Sequence, residues 1–174
     1  MHLSTRWKTA DCEESVLQKN EKTNVMRVLE GQKLPYQAHT YPSDTALSGV
    51  EVAAILHQDP THVFKTLVTV APSRKNYVFV IPVGEELSLK KAAQAVGEKS
   101  IEMLKSKDLL PLTGYVHGGC SPIGMKKLFH TVVDETVLLC ETMVFSAGKI
   151  GYQVEVTPDV LKAVVDYQIA DVTM

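Results

Sequence analysis

The chain has 174 residues, 45% of them hydrophobic and 22% charged, with a formal net charge of −2. That length supports one domain with a full core, and the charge argues against a protein built to wrap duplex DNA. No apolar run approaches the roughly 20 residues of a membrane span, and three scattered cysteines (Cys12, Cys120, Cys140) suit neither a disulfide framework nor a zinc site. With no apolar signal-peptide region at the start, a reducing cytosol is the expected compartment. Residues 1–21 lack clean periodicity. They read as an N-terminal extension, disordered or non-native, or as a short docking helix from Glu13 to Lys19; the domain proper is expected over 22–174.

From Lys22 the pattern sharpens. Thr23 or Asn24 can cap a helix carrying Val25, Met26, Val28 and Leu29, with Gly31 near its end. Pro35 opens an extended run from Tyr36 to Tyr41. Ser48 and Glu51 have capping-box spacing and start a second helix. "VFKTLVTVA", Val63 to Ala71, and "YVFVIPV", Tyr77 to Val83, read as strands joined by the turn "PSRKN", hence a hairpin. Ser88 caps a third helix that Gly97 stops. After the glycine-rich stretch come short apolar runs, "TVVDE", "VLLCE" and "MVFSAG", each expected as a strand. Gly148 and Gly151 flank a turn into the strand "YQVEV". Thr157 with Pro158 starts a final helix, and "YQIADVT" closes the chain as a strand. The βαβ alternation of a doubly wound sheet is absent. The expected fold is mixed α/β: a curled mixed sheet or partial barrel with peripheral helices.

Three features carry candidate chemistry. "GYVHGGCSPIG", Gly114 to Gly124, holds four glycines but lacks the spacing of a P-loop or a dinucleotide fingerprint. Bare backbone of this kind can form a nest of N–H groups for an anion or a developing oxyanion, at Gly118, Gly119, Cys120 and Gly124; a surface turn is the alternative. Within the loop, Ser121 lacks a nucleophile-elbow context. Cys120 has His117 three residues before it, but an unreactive thiol is the simpler reading. Lys65 sits inside an apolar strand, with Phe64, Thr66 and Val68 expected on one face and Lys65 and Leu67 on the other. It either blocks edge pairing or meets an acid or an anionic ligand. Lys126 and Lys127 can hold phosphates or be merely solvated. The six histidines make no H-x-x-x-H pair, so no metal is expected, and no cofactor.

Taken together and in order, "HTY" (39–41), "VFKTLV" (63–68), "LSLKKAAQAVG" (87–97), "TGYVHGGCSPIG" (113–124) followed by "KK", and "FSAGKIGYQVEV" (145–156) resemble the YbaK/EbsC family of aminoacyl-tRNA deacylases. The likeness runs from about residue 22 to the C-terminus. It implies a fold related to the editing insertion domain of bacterial prolyl-tRNA synthetases, and a pocket for the aminoacylated 3′ end of tRNA. Lys65, Gly118 and Gly119 would act in catalysis, and Tyr41, Thr66, Cys120, Ser121, Ser146, Gly148 and Gln153 would bind substrate. Lys126, Lys127 and Lys149 would meet tRNA phosphates. The resemblance further implies that a cysteinyl ester is removed by its own thiol, so that the protein supplies orientation and charge stabilisation. Cys-tRNA(Pro), and with it Cys-tRNA(Cys), is the expected substrate, with Ala-tRNA(Pro) deacylation or non-catalytic tRNA binding as alternatives. Prolyl-tRNA synthetase is the expected protein partner, with neither membrane nor duplex DNA. Two departures stand out. Close relatives often carry Asp at the position of Gln153, and "PSDTALSGVEVA" after Tyr41 differs in length and lacks an aromatic.

Overall fold

The computed structural model describes residues 21–174. The expected extension, with its alternative helix from Glu13 to Lys19, lies outside the described residues except for Glu21. Five α-helices are seen: α1 (Asn24–Gly31), α2 (Gly49–Ile55), α3 (Leu89–Val96), α4 (Ser106–Thr113) and α5 (Pro158–Val164). Eight strands accompany them: β1 (Gln37–Thr40), β2 (Phe64–Val70), β3 (Asn76–Pro82), β4 (Glu102–Met103), β5 (His130–Asp134), β6 (Met143–Ser146), β7 (Tyr152–Val156) and β8 (Tyr167–Ala170).

Local chemistry explains most helix ends. The hydroxyls of Thr23, Ser48, Ser88 and Thr157 each accept the backbone N–H three residues on, at 3.2–3.3 Å. Each such cap contributes about 1 kcal/mol. At the other ends, Leu34, Gln58 and Glu98 return their N–H groups to Leu29, Ala53 and Ala93 carbonyls. These are Schellman turns. α3 uses Gly97 for the left-handed residue, whereas α1 and α2 place Lys33 (φ 56°) and His57 (φ 54°) there, at a cost of roughly 1–2 kcal/mol each.

The strands form two sheets. One is antiparallel with order β1-β7-β6. The other has five strands in the order β4-β2-β3-β5-β8. In the larger sheet the expected hairpin β2/β3 is antiparallel, while β3/β5 and β5/β8 are parallel. One bridge, Val63 to Val144, links the two sheets, which do not close into a barrel. Alternation along β3 sends Val78 and Val80 into a core shared with the smaller sheet (Met143, Phe145, Val154), α1 and α5. Tyr77, Phe79 and Ile81 go into a second core under α3. As expected, Phe64 and Val68 share the first face and Leu67 packs on the second.

One expected strand is not formed. "VLLCE" begins inside a 3₁₀ turn, Glu135–Leu139, with Leu138 and Leu139 72% and 84% exposed. The fully buried Asp134 decides this. Its Oδ2 accepts the Thr136 N–H (3.2 Å) and hydroxyl (2.8 Å), while Oδ1 accepts the Val172 N–H (3.1 Å). That bonding folds the chain back at the place where an apolar run alone reads as a strand.

Candidate active site

The site begins as a gap in a ladder. Val68 O accepts the Leu104 N–H at 3.0 Å, so β4 and its flank cover the end of β2. At the other end, Val63 bridges to β6. Between them the outer edge of β2 has no strand beside it. In an antiparallel pair the outward-facing backbone groups alternate. Val68 faces outward, so Thr66 does too, with its N–H and C=O directed away from β3. A cavity of about 600 Å³ opens at this gap, where both faces of the strand edge are reachable.

Its wall combines distant segments. β2 contributes Lys65 and Thr66, the glycine loop contributes His117, Gly118 and Cys120, the smaller sheet contributes Ser146 and Gln153, and Tyr41 comes from the segment after β1. The structure therefore brings seven of the thirteen residues that the resemblance assigns to the site into one cavity, with His117 beside them. Among the described residues Lys65 has no ion-pair or hydrogen-bond partner, although it is only part-exposed. Thr66 Oγ1 is buried without a partner among the described residues. Ser146 Oγ accepts the Gly148 N–H at 3.1 Å, which leaves its proton to donate. No carboxylate lines the cavity among the described residues.

Tyr115 holds the glycine loop in place. Its hydroxyl donates to Ile123 O (2.6 Å) and accepts from Asn24 Nδ2, which also donates to Gly124 O (both 3.1 Å). The ring packs so closely on Gly148 (φ 87°) that an added Cβ would lie 2.7 Å from Tyr115 Cε1. One phenol thus clamps both the loop and the turn that carries Ser146. Gly118 (φ 85°) turns the chain so that its backbone meets the cavity.

The other six residues that the resemblance assigns to the site do not line the cavity. Gly119 donates its N–H to Val116 O at 3.0 Å, so that group is already engaged as a turn bond. Ser121 is fully buried and its Oγ accepts the Ile123 N–H at 3.4 Å. Gly148 lies behind Ser146. Lys126 and Lys127 are exposed, with the Lys126 side chain beside Gly114. Lys149 lies 3.8 Å from Glu21 and over the Tyr152 ring. Cys120 does reach the cavity, but burial pushes its thiol up to about 12. It is therefore protonated at neutral pH and a poor nucleophile, and no hydrogen bond joins it to His117 among the described residues.

Among the lining residues that sequence reasoning missed, one wall and one support stand apart. The wall is Met103, Leu104, Ser106 and Leu109, from β4 and α4. The support is Gln58, whose Nε2 donates to Gln153 Oε1 at 3.0 Å. No local signal marks either. α4 starts without a side-chain cap and contains Pro111, and Gln58 matters only because a Schellman turn aims it at a strand 95 residues away.

The described residues contain no helix long and apolar enough to cross a membrane. They also contain no group of three or more His, Cys, Asp or Glu side chains suited to a metal.

The aminoacyl-tRNA editing domain family matches residues 44–164. A protein of Enterococcus faecalis, provisionally named Cys-tRNA(Pro)/Cys-tRNA(Cys) deacylase EbsC, is 44% identical over 154 residues, which is 88% of this chain and 94% of that protein. Two solved structures share the fold. The hypothetical protein APE2540 superposes with a TM-score of 0.78 at 22% identity, covering 87% of this chain and 99% of that one. A structure described as a trans-editing enzyme for prolyl-tRNA synthetase gives 0.76 at 24%, covering 87% and 97%. The chain belongs to the aminoacyl-tRNA editing domain family and is an aminoacyl-tRNA deacylase of the YbaK/EbsC type.

Proposed function

We propose that the chain removes cysteine from mischarged tRNA(Pro) as a free-standing editing enzyme, acting in the cytoplasm beside prolyl-tRNA synthetase. The observation that carries this reading is Lys65: a part-buried ammonium with no partner among the described residues, in a cavity that holds no carboxylate. A cation so placed is stabilised by an anionic ligand, and a 3′-terminal nucleotide brings a phosphate. Tyr41 walls the nucleoside, and Thr66 and Ser146 hydroxyls meet the ribose oxygens or the acyl group. The domain is taken as residues 22–174.

Two candidate nucleophiles of the glycine loop are poor ones, since Cys120 is held as a thiol and Ser121 is buried. The cysteinyl thiol does the chemistry instead. Its sulfur bonds to its own carbonyl carbon, the ester C–O bond breaks, and the thiol proton ends on the departing ribose oxygen, leaving a thiolactone and free tRNA. Backbone N–H groups of Gly118 and Cys120 hold the carbonyl oxygen as charge develops; Gly119, whose N–H is engaged, shapes the turn. Stabilisation of this kind is worth about 10²–10³ in rate. Lys126, Lys127 and Lys149 lie outside the cavity and meet the acceptor stem weakly, so tRNA affinity falls with salt.

The test is a deacylation panel with Cys-, Ala- and Pro-tRNA(Pro) and Cys-tRNA(Cys), with and without prolyl-tRNA synthetase. Cys-tRNA(Pro) should be hydrolysed fastest, and Lys65→Ala should slow it by about 10²-fold or more. Wild-type rates in Lys65→Ala on every ester would remove the proposed site.

A further inference from the structure

The polar groups around Gln153 say something about which part of an acyl group this cavity reads. Gln153 is buried, with 6% of its surface exposed, and lines the cavity. Its Oε1 accepts from Gln58 Nε2; the Gln58 backbone N–H is bound to Ala53 O at 2.8 Å, and Gln58 Oε1 is buried without a partner among the described residues. Among the described residues that leaves the Gln153 NH₂ without a partner, on a residue that lines the cavity. The next acid on that face of β7 is Glu155. It is occupied on both oxygens, Oε1 by His39 Nε2 (2.8 Å) and Oε2 by the Thr142 hydroxyl (2.6 Å). Together with the Lys65 ammonium and the Ser146 proton, the cavity presents donors and a positive charge, and no charged acceptor among the described residues.

We propose that Gln153 is a specificity-determining residue, hydrogen-bonded to Gln58, that denies the α-ammonium of the acyl group a partner, so that acyl-adenosine ends are recognised through their oxygens and the amine adds no affinity. An ammonium entering here meets Lys65 and an amide donor, with no carboxylate to offset them. The proposal rests on the reading that the cavity receives an acyl-adenosine end.

Two stable probes differ only in the amine: 3′-deoxy-3′-(L-cysteinylamino)adenosine and 3′-deoxy-3′-(3-mercaptopropionylamino)adenosine. Calorimetry on the full chain should show the cysteinyl probe binding no more tightly than the mercaptopropionyl probe, to within about threefold. Gln153→Asp should favour the cysteinyl probe by about tenfold or more. Gln153→Asn, neutral and shorter, should keep the wild-type ratio and serves as the folding control. Gln58→Ala frees Oε1 and should shift the ratio toward the amine by about threefold, which a merely structural loss would not do. A wild-type preference for the amine beyond about threefold overturns the proposal. So do equal ratios in wild type and Gln153→Asp, or failure of both probes to bind. The deacylation panel is read separately. Turnover with a strong amine preference sinks this inference alone, and the expected ratios with no turnover on any ester sink the functional reading alone.

Discussion

β2 and β3 are hairpin partners of seven residues each in one sheet, yet they have opposite fates. β3 lies between β2 and β5, and every residue from Tyr77 to Pro82 is buried. β2 is covered on its outer side only near Thr69 and Val70, where β4 pairs, and only Phe64, Val68 and Thr69 are buried. The lesson is that the site is made by leaving out a neighbour. A fully flanked strand can only be core, whereas the same kind of strand with a bare edge exposes backbone groups and side chains from both faces to one cavity.

The sharpest break of this comparison is a pair of truncations. Phe79→Ala on β3 should cost about 3–5 kcal/mol in denaturant unfolding, because the ring is fully buried. Lys65→Ala on β2 should leave stability within about 0.5 kcal/mol and act on deacylation alone. Next in size is the clamp. Gly148→Ala puts a Cβ against Tyr115 at a positive φ and should cost about 2–3 kcal/mol, with activity lost as Ser146 and the glycine loop separate.

A smaller test concerns Cys120. Cys120→Ala should keep deacylation within about threefold, and at pH 8 the wild-type thiol should react with iodoacetamide about tenfold or more slower than free cysteine. The sign follows from its raised pKa: the neutral thiol's stabilising contribution is present below its ordinary value of 9.0 and is lost as pH rises toward about 12. Glu155 has the opposite sign. Its carboxyl is lowered by the Thr142 hydrogen bond first and the His39 bond second, against burial. Glu155→Gln should cost about 0.5–1 kcal/mol at neutral pH, and the gap to wild type should close as pH falls below about 4. The smallest expected effect is at the turn that aims Gln58. His57→Gly relieves a left-handed residue and should raise stability by up to about 1 kcal/mol.

Where local chemistry speaks, the sequence could be read closely. Ser48, Ser88 and Thr157 cap helices as expected, since each acts on the N–H three residues away. The hairpin is readable because β-branched runs flank a short polar turn. The cavity residues Tyr41, Lys65, Thr66, Gly118, Ser146 and Gln153 were named from the resemblance carried by five segments, and Lys65 and Gly118 also stood out on their own. The 3₁₀ turn over Glu135–Leu139 was misread because it depends on Asp134, whose second oxygen is bound by Val172, 38 residues on. α4 escaped notice because nothing caps its start and Pro111 interrupts its pattern.

The sequence alone determined the elements, their caps and the residue types able to meet an acyl ester, since these follow from period, hydroxyl spacing and bare backbone within a few residues. Only the tertiary structure decided which backbone groups remain free and which side chains meet. Gly119 is engaged by Val116, Tyr115 binds two loops together, and Gln58 hydrogen-bonds Gln153 where it lines the cavity. Those outcomes depend on contacts between residues far apart in the chain, whose energies arise only once the sheets have packed.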